Sequence, residues 1–329
     1  MCGIIGFAGK TEAVPILLDG LERLEYRGYD SAGVAVVSAD GRLQVKKSKG
    51  RLSVLRELLE SQTPLSGNIG IGHTRWATHG EPNDTNAHPH VGQEGKIAVA
   101  HNGIIENYLE IKNSLIRKGV VFSSDTDTEV IVQLLEYYYR KKSNLMDTVY
   151  AVLNRIKGAY AMGILCSDFP GQMVAARKDA PLLIGYGQDG NYIASDVTAL
   201  LAHTRTVTCM EDDEVAVVTA DQVQIFDRDR FLMEKEKHLI DWDVSAAEKG
   251  GYAHSGRSLS CIRVQIQRTV TWRIGTCNCN QQVRGNTGFH TVIKTVRLYM
   301  NPIYKLFRLS GKLDRLKNHI LPSRGIFFL

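Results

Sequence analysis

No stretch of 18 or more apolar residues occurs in the chain, so the sequence indicates no helical membrane span. No basic residue precedes the apolar run that opens at Gly3, and the start therefore lacks the charged front of a secretory signal. The expectation is a soluble, cytoplasmic protein. Cysteine is sparse: Cys2, Cys166, Cys209, Cys261, Cys277 and Cys279 are scattered over 329 residues, too dispersed for a disulfide framework. Acid is nearly missing from one region, because residues 251–329 hold 13 Lys and Arg against the single acid Asp314, a net charge of +12. The overall +5 thus hides a first 250 residues with 27 basic and 34 acidic side chains, net −7. These are two compositionally different pieces. No internal repeat is visible, which excludes solenoid and propeller arrays.

What is present begins with Met1-Cys2-Gly3, and a methionine ahead of a small residue is normally trimmed. Cys2 would then carry a thiol and a free α-amino group, with ordinary pKa values of about 8.5 and about 8, close enough to exchange a proton near neutral pH. That is a nucleophile with its own base. The competing reading makes Cys2 a small apolar residue at the start of an edge strand. With 43% apolar and 23% charged residues, the chain has globular composition and the length for a large core, in one big domain or two.

Gly3 to Gly9 reads as a buried strand, and Val14, Leu17, Leu18, Leu21 and Leu24 recur at helical spacing behind it, with Pro15 in an early turn. Gly33 to Val37 and Leu43 to Lys47 read as strands joined through the hairpin signal Asp40-Gly41, and Leu52 to Leu59 as a short amphipathic helix. Ile69 to Gly80 is a strand running into a polar loop, and Lys96 to Gly103 a strand ending on the turn dipeptide Asn102-Gly103. Thr126 and Glu129 have capping-box spacing ahead of Val130, Ile131, Leu134, Leu135 and Tyr138, which places Asp127 in a helix's first turn. From Ala159 to about Phe226 short β-like segments alternate with turns. Early helices and many strands point to an α+β protein with antiparallel sheets.

Six segments occur in a fixed order: Cys2-Gly3-Ile4-Ile5-Gly6, Glu25 to Gly33, His73 to Gly80, Asn86-Ala87-His88-Pro89-His90, His101 to Asn107, and Thr126-Asp127-Thr128-Glu129. Together they resemble the glutaminase domain of the glutamine:fructose-6-phosphate aminotransferase (glucosamine-6-phosphate synthase) family, over roughly residues 1–254. The resemblance implies a class II glutamine amidotransferase with the four-layer αββα sandwich of N-terminal-nucleophile hydrolases, spanning 2–248 and followed by the start of an interdomain linker at 249–254. It implies that Cys2 attacks the side-chain amide of L-glutamine, and that the Asn102 side chain and the Gly103 N–H hold the oxyanion. It further implies that Arg75 takes the substrate α-carboxylate and Asp127 the α-ammonium, a pairing that selects free glutamine. In the family the tryptophan matching Trp76 gates ammonia passage, Thr78 and His79 belong to the same mobile glutamine loop, and Arg27 and Gly28 pack near the nucleophile. No cofactor is implied. Without the resemblance, Asp127 is only a helix-start acid and Asn102-Gly103 only a turn.

His73, His79, His88, His90 and His101 fall within 29 residues. A metal site is one reading, but no spaced acid or cysteine set completes it, and structural hydrogen bonding is the expectation. Residues 255–329 match nothing in the family, whose two sugar-phosphate isomerase lobes bind fructose 6-phosphate and accept the ammonia. This basic tail reads as an out-of-frame or alternative end; nucleic-acid binding by a +12 arm is the weaker alternative. The family reaction serves hexosamine and UDP-N-acetylglucosamine synthesis. For this chain the expectation is glutaminase activity, with fructose 6-phosphate entering only if isomerase lobes are supplied in trans; a homodimer stays open. The alternatives are another class II amidotransferase, such as the one acting on phosphoribosyl pyrophosphate or asparagine synthetase, and a non-catalytic binding or regulatory chain.

Overall fold

The apolar run behind Cys2 forms strand β1 (Gly3–Gly9), every residue of which is buried. The computed structural model describes residues 2–77 and 79–241. Thr78, the expected linker at 249–254 and the basic segment 255–329 with Cys261, Cys277 and Cys279 lie outside the described residues. After β1 come α1 (Ala13–Glu22), the hairpin β2 (Ser31–Val37) and β3 (Leu43–Lys49), α2 (Leu52–Ser61), β4 (Ile69–Arg75) and β5 (His90–Val91). Then follow β6 (Ile97–Ile105), α3 (Tyr108–Ile116), α4 (Asp127–Lys142) and α5 (Leu145–Leu153). Apart from a 3₁₀ turn at Val197–Ala199, strands follow: β7 (Gly158–Cys166), β8 (Met173–Lys178), β9 (Leu183–Tyr186), β10 (Gly190–Ala194) and β11 (Thr206–Cys209). The last are β12 (Glu214–Val218), β13 (Val223–Phe226), β14 (Leu232–Met233) and β15 (His238–Leu239).

The strands form two sheets, ordered β15-β11-β9-β10-β1-β4-β2-β3 and β14-β13-β12-β8-β7-β6-β5. Every ladder between these strands is antiparallel. β1 lies inside its sheet between β10 and β4, so Cys2 does not begin an edge strand. Burial on both faces is what a continuous apolar run requires, because side chains alternate between faces and neither can meet water.

Alternation divides the core into three apolar layers. Ile5 and Phe7 of β1 pack with Leu17, Leu21, Leu52 and Leu55 of α1 and α2 on one outer face. Ile97 and Val99 of β6 pack with Ile111, Leu115, Val130, Ile131 and Val149 of α3, α4 and α5 on the other. Between the sheets lie Ile4, Ile69, Ile71 and Ile193 from one side and Ala98, Ala100, Ala161, Ala175 and Ala216 from the other. Small side chains on one sheet accommodate large ones on its partner, which lets two sheets pack at about 10 Å. The result is a four-layer αββα sandwich, an α+β fold. Among the described residues no helix is long and apolar enough to cross a membrane.

Helix α4 is fastened at its N-terminus and again along its length. Thr126 caps it by accepting the Glu129 N–H at 3.3 Å, while the Glu129 carboxylate reaches past the cap to the N–H groups of Ser123 and Ser124 at 2.9 and 2.6 Å. The capping-box spacing is therefore real, with the acid serving residues one turn further back. Two turns on, the buried Glu136 carboxylate accepts the N–H groups of Glu94, Lys96 and Ile97 at 2.7, 2.9 and 3.2 Å. The expected turn at Asn102-Gly103 is a correction: β6 runs on through both residues, which pair with Ala161 and Tyr160 of β7.

Candidate active site

Cys2 precedes β1, and the β1–β4 register, with Gly3 opposite Thr74 and Ile4 opposite His73, brings it beside the end of β4. The sulfur is half-buried and faces the Trp76 backbone, whose N–H lies 3.2 Å and whose carbonyl 3.5 Å from Sγ. Burial pushes the thiol pKa up, against the Trp76 N–H and the Arg75 charge, which pull it down. A thiol held in its protonated form needs a base before it can attack.

Asn102 reaches Cys2 from the facing sheet. Its Nδ2 donates to the Cys2 carbonyl at 3.3 Å, and its Oδ1 lies 3.0 Å from His73 Nε2. That nitrogen also lies 3.1 Å from the His101 carbonyl. Both partners are acceptors, so Nε2 carries the proton and the amide of Asn102 is fixed with its NH₂ toward Cys2. Complete burial drives the His73 pKa down to about 3, which keeps this ring neutral. Gly103 has φ +129°, and a Cβ there would meet the Ala159 carbonyl oxygen at 2.0 Å.

Arg75 ends β4 with its side chain almost wholly buried. Nη2 donates to the carbonyls of His79 and Gly80, the latter at 3.2 Å, so the loop after β4 curls back over the guanidinium. Nη1 is buried without a hydrogen-bond acceptor and has Asp30 Oδ1 at 3.9 Å. Asp127, in the first turn of α4, is 4% exposed, and its Oδ2 accepts the Ile105 N–H at 2.8 Å. The residues on either side of it are braced by histidines, Thr126 Oγ1 to His90 Nε2 and Thr128 Oγ1 to His101 Nδ1, each at 2.9 Å.

Trp76 is 54% exposed, and its ring lies against Gly28, where a Cβ would stand 2.6 Å from Cζ3. Gly28 also has φ +75°, so the absent side chain serves both the turn and the tryptophan. Arg27 Nη1 lies 3.4 Å from Ser195 Oγ, which accepts the Ile4 N–H at 2.9 Å, two residues beyond Cys2. The His79 ring packs edge-on against Tyr108, with centroids 5.4 Å apart. Every expected site residue among those described thus belongs to the Cys2, Arg75 or Asp127 neighbourhood; Thr78 is outside them.

Asp30 and Asn86, inside the same motifs, have no role in the sequence reading, and His73 has only that of structural hydrogen bonding. Asp30 accepts the Ala77 N–H at 2.5 Å and stands beside Arg75, His73 orients Asn102, and Asn86 joins two loops. Their presence in the matched segments was the available signal; the partners that place them, Asn102 for His73, Ala77 for Asp30 and Asp125 for Asn86, lie 29, 47 and 39 residues away in sequence. His73 and His88 stack with centroids 4.3 Å apart, and His88 and His90 meet edge-on at 4.9 Å. Among the described residues no group of His, Cys, Asp and Glu is arranged to hold a metal ion.

Residues 60–253 match the model of a family described as a glutamine amidotransferase domain. The chain is 55% identical over 254 residues to the glutamine–fructose-6-phosphate aminotransferase (isomerizing) of Caldanaerobacter subterraneus, covering 77% of this chain and 41% of that protein. It is 49% identical over 254 residues to the enzyme of the same name from Thermus thermophilus, with the same coverage. The chain thus spans about 41% of the length of these curated relatives. Among solved structures, the glutamine phosphoribosylpyrophosphate amidotransferase of B. subtilis, complexed with ADP and GMP, superposes with a TM-score of 0.59 at 28% identity. That match covers 69% of this chain and 49% of the other.

Proposed function

Because the chain belongs to the glutamine amidotransferase domain family, we propose that Cys2, once Met1 is removed, is the N-terminal nucleophile of a glutaminase that releases glutamate and ammonia from L-glutamine. The observation that carries this reading is the convergence on Cys2 of an oriented amide, Asn102, and a buried arginine, Arg75, from two different sheets. The α-amino group takes the thiol proton, and the sulfur attacks the substrate amide carbon. Negative charge then grows on the former amide oxygen, where Asn102 Nδ2 and the Gly103 N–H donate; each such donor is worth about 3 kcal/mol in the transition state. The C–N bond breaks as the ammonium of Cys2 returns its proton to the departing ammonia. Water adds to the thioester, the C–S bond breaks, and glutamate leaves with the thiol restored.

Arg75 supports the recognition of free glutamine through Nη1, a buried donor that a carboxylate would satisfy. Asp127 supports it through a carboxylate that, among the described residues, accepts a single backbone donor. Trp76 and His79 frame the opening, and Arg27 and Gly28 hold the nucleophile and the tryptophan in register. In this reading fructose 6-phosphate, the acceptor in the name of the curated relatives, is used only when isomerase lobes are supplied. The phosphoribosyl pyrophosphate alternative has less support, since the sequence likeness there is 28% against 49–55% for the hexosamine-type relatives.

The test is glutamate release from free glutamine by the purified chain, with intact mass recording whether Met1 is removed. Turnover is expected to vanish in Cys2→Ala. Turnover that persists in a folded Cys2→Ala would overturn the assignment of the nucleophile.

A further inference from the structure

Asn86 touches neither Cys2 nor any atom assigned to substrate, yet it is 1% exposed and every polar atom of its side chain is engaged. Nδ2 donates to the Glu81 carbonyl at 2.9 Å, and Oδ1 accepts the Asp125 N–H at 3.0 Å. Glu81 follows directly on His79 and Gly80, whose carbonyls receive Arg75 Nη2. Asp125 lies two residues ahead of Asp127 and next to the cap of α4. One amide therefore spans the segment that holds the arginine and the segment that holds the acid.

The span is itself supported from below. Lys47, on β3, donates through Nζ to the carbonyls of Thr85 and Ala87 at 3.1 and 2.9 Å, the two residues flanking Asn86. The Asn86 N–H donates to Asn83 Oδ1 at 2.7 Å. Gly80 has φ +75°, and a Cβ there would stand 2.6 Å from Asn86 Nδ2, so the loop approaches as closely as a glycine allows. The two bonds have opposite polarity, which the amide satisfies: a carboxylate would set an oxygen against the Glu81 carbonyl, and an apolar side chain would leave both backbone groups unpaired.

We infer that Asn86 is a positioning residue that sets the spacing between Arg75 and Asp127, and with it the fit to the α-carboxylate and α-ammonium of glutamine. The inference rests on the glutaminase reading above. It assigns Asn86 to recognition of the α groups rather than to chemistry at the amide, so the loss should fall on KM and leave the chemical step in place.

The experiment compares wild-type, Asn86→Ala and Asn86→Asp chains, with thermal melts to establish folding. Steady-state hydrolysis is measured on L-glutamine and on N-acetyl-L-glutamine, whose α-amino group is blocked. KM for glutamine is expected to rise about tenfold or more with kcat held within about twofold, and the preference for glutamine over the blocked amide to fall by a similar factor. A general loss of structure would lower activity on both substrates alike and leave that preference unchanged. If Asn86→Ala does not fold, Asn86→Ser, whose hydroxyl can serve one of the two partners, reads the same ratio. A folded variant with unchanged KM and unchanged preference overturns the positioning role. Absence of Cys2-dependent hydrolysis in the wild type overturns instead the glutaminase reading, and the inference falls with it.

Discussion

Gly103 combines two demands that no other residue meets at that place. Its φ of +129° is strained for any L side chain, and the nearest atom to an added Cβ is a backbone carbonyl oxygen that cannot swing aside. Gly103→Ala must therefore push β6 away from β7 at the residue that the proposed mechanism uses as an oxyanion donor. The expected cost is about 3 kcal/mol of stability, combining the φ strain with the separation of the two strands. Urea unfolding checks it, and a midpoint within error of wild type would show that the strands can part without cost. The same residue explains why the dipeptide reads as a turn in sequence. Asn and Gly both tolerate positive φ, and turns are where that tolerance is usually needed; here it is used inside a paired strand. Asp127 is similar, since an acid in a first helical turn has a sufficient local reason to be there. In the proposed mechanism it is association with Cys2 and Arg75 that gives them a shared purpose, and such an association is tertiary.

At the level of elements, β4, the start of β5 and the middle of β6 gather His73, His90 and His101, with His88 stacked on His73 and edge-on to His90. Burial lowers the pKa of all four; Arg75 adds to the effect on His73, His88 and His90, Lys47 acts on His90, and Asp127 partly offsets it at His101. A histidine whose folded pKa is depressed stays neutral in the fold while the unfolded chain takes up a proton below about pH 6.5. The unfolded state then binds more protons, so stability falls as pH falls from about 6.5 toward the folded values. Each refused proton costs about 1.4 kcal/mol per pH unit, and four such sites make the acid limb steep. Denaturant midpoints at pH 7.5, 6 and 5 are expected to drop in that order, and His88→Phe, which removes one refused proton, to flatten the slope. A flat profile across this range would mean that the rings protonate in place.

Element legibility followed the strength of the local pattern. β1, α1, β2, α2 and α4 each bury a regular face or a continuous run, which periodicity finds, while the half-buried β3 is marked by the hairpin signal Asp40-Gly41. α3 was not anticipated because exposed Leu109 and Ile116 interrupt the face made by buried Ile111 and Leu115. Strands of two residues, such as β5, β14 and β15, are too short to show alternation at all. Their places are set by the neighbours they pair with.

For the molecule as a whole, the question is where the ammonia of the proposed reaction goes. The apolar layer between the sheets is filled by Ile4, Ile71, Ile193 and their alanine partners, so the sandwich interior offers no polar seat for a sugar phosphate. The polar chemistry is gathered instead at one end, around Cys2, where the exposed Trp76 ring meets solvent. The matched relatives have more than twice the length that this chain covers. Under the proposed function the expectation for the 329-residue chain acting alone is uncoupled hydrolysis: glutamate and free ammonia in equal amounts, with no glucosamine 6-phosphate on addition of fructose 6-phosphate. Since a ligand alters a rate only through differential interaction with the protein's states, the sugar phosphate should leave glutamate release unchanged within about twofold. Mass spectrometry of the reaction with ¹⁵N-amide glutamine reads both outcomes at once. Label appearing in an amino sugar, and lost in Cys2→Ala, would mean that this chain holds an acceptor site of its own; label found only in ammonia would leave the transfer to lobes supplied separately.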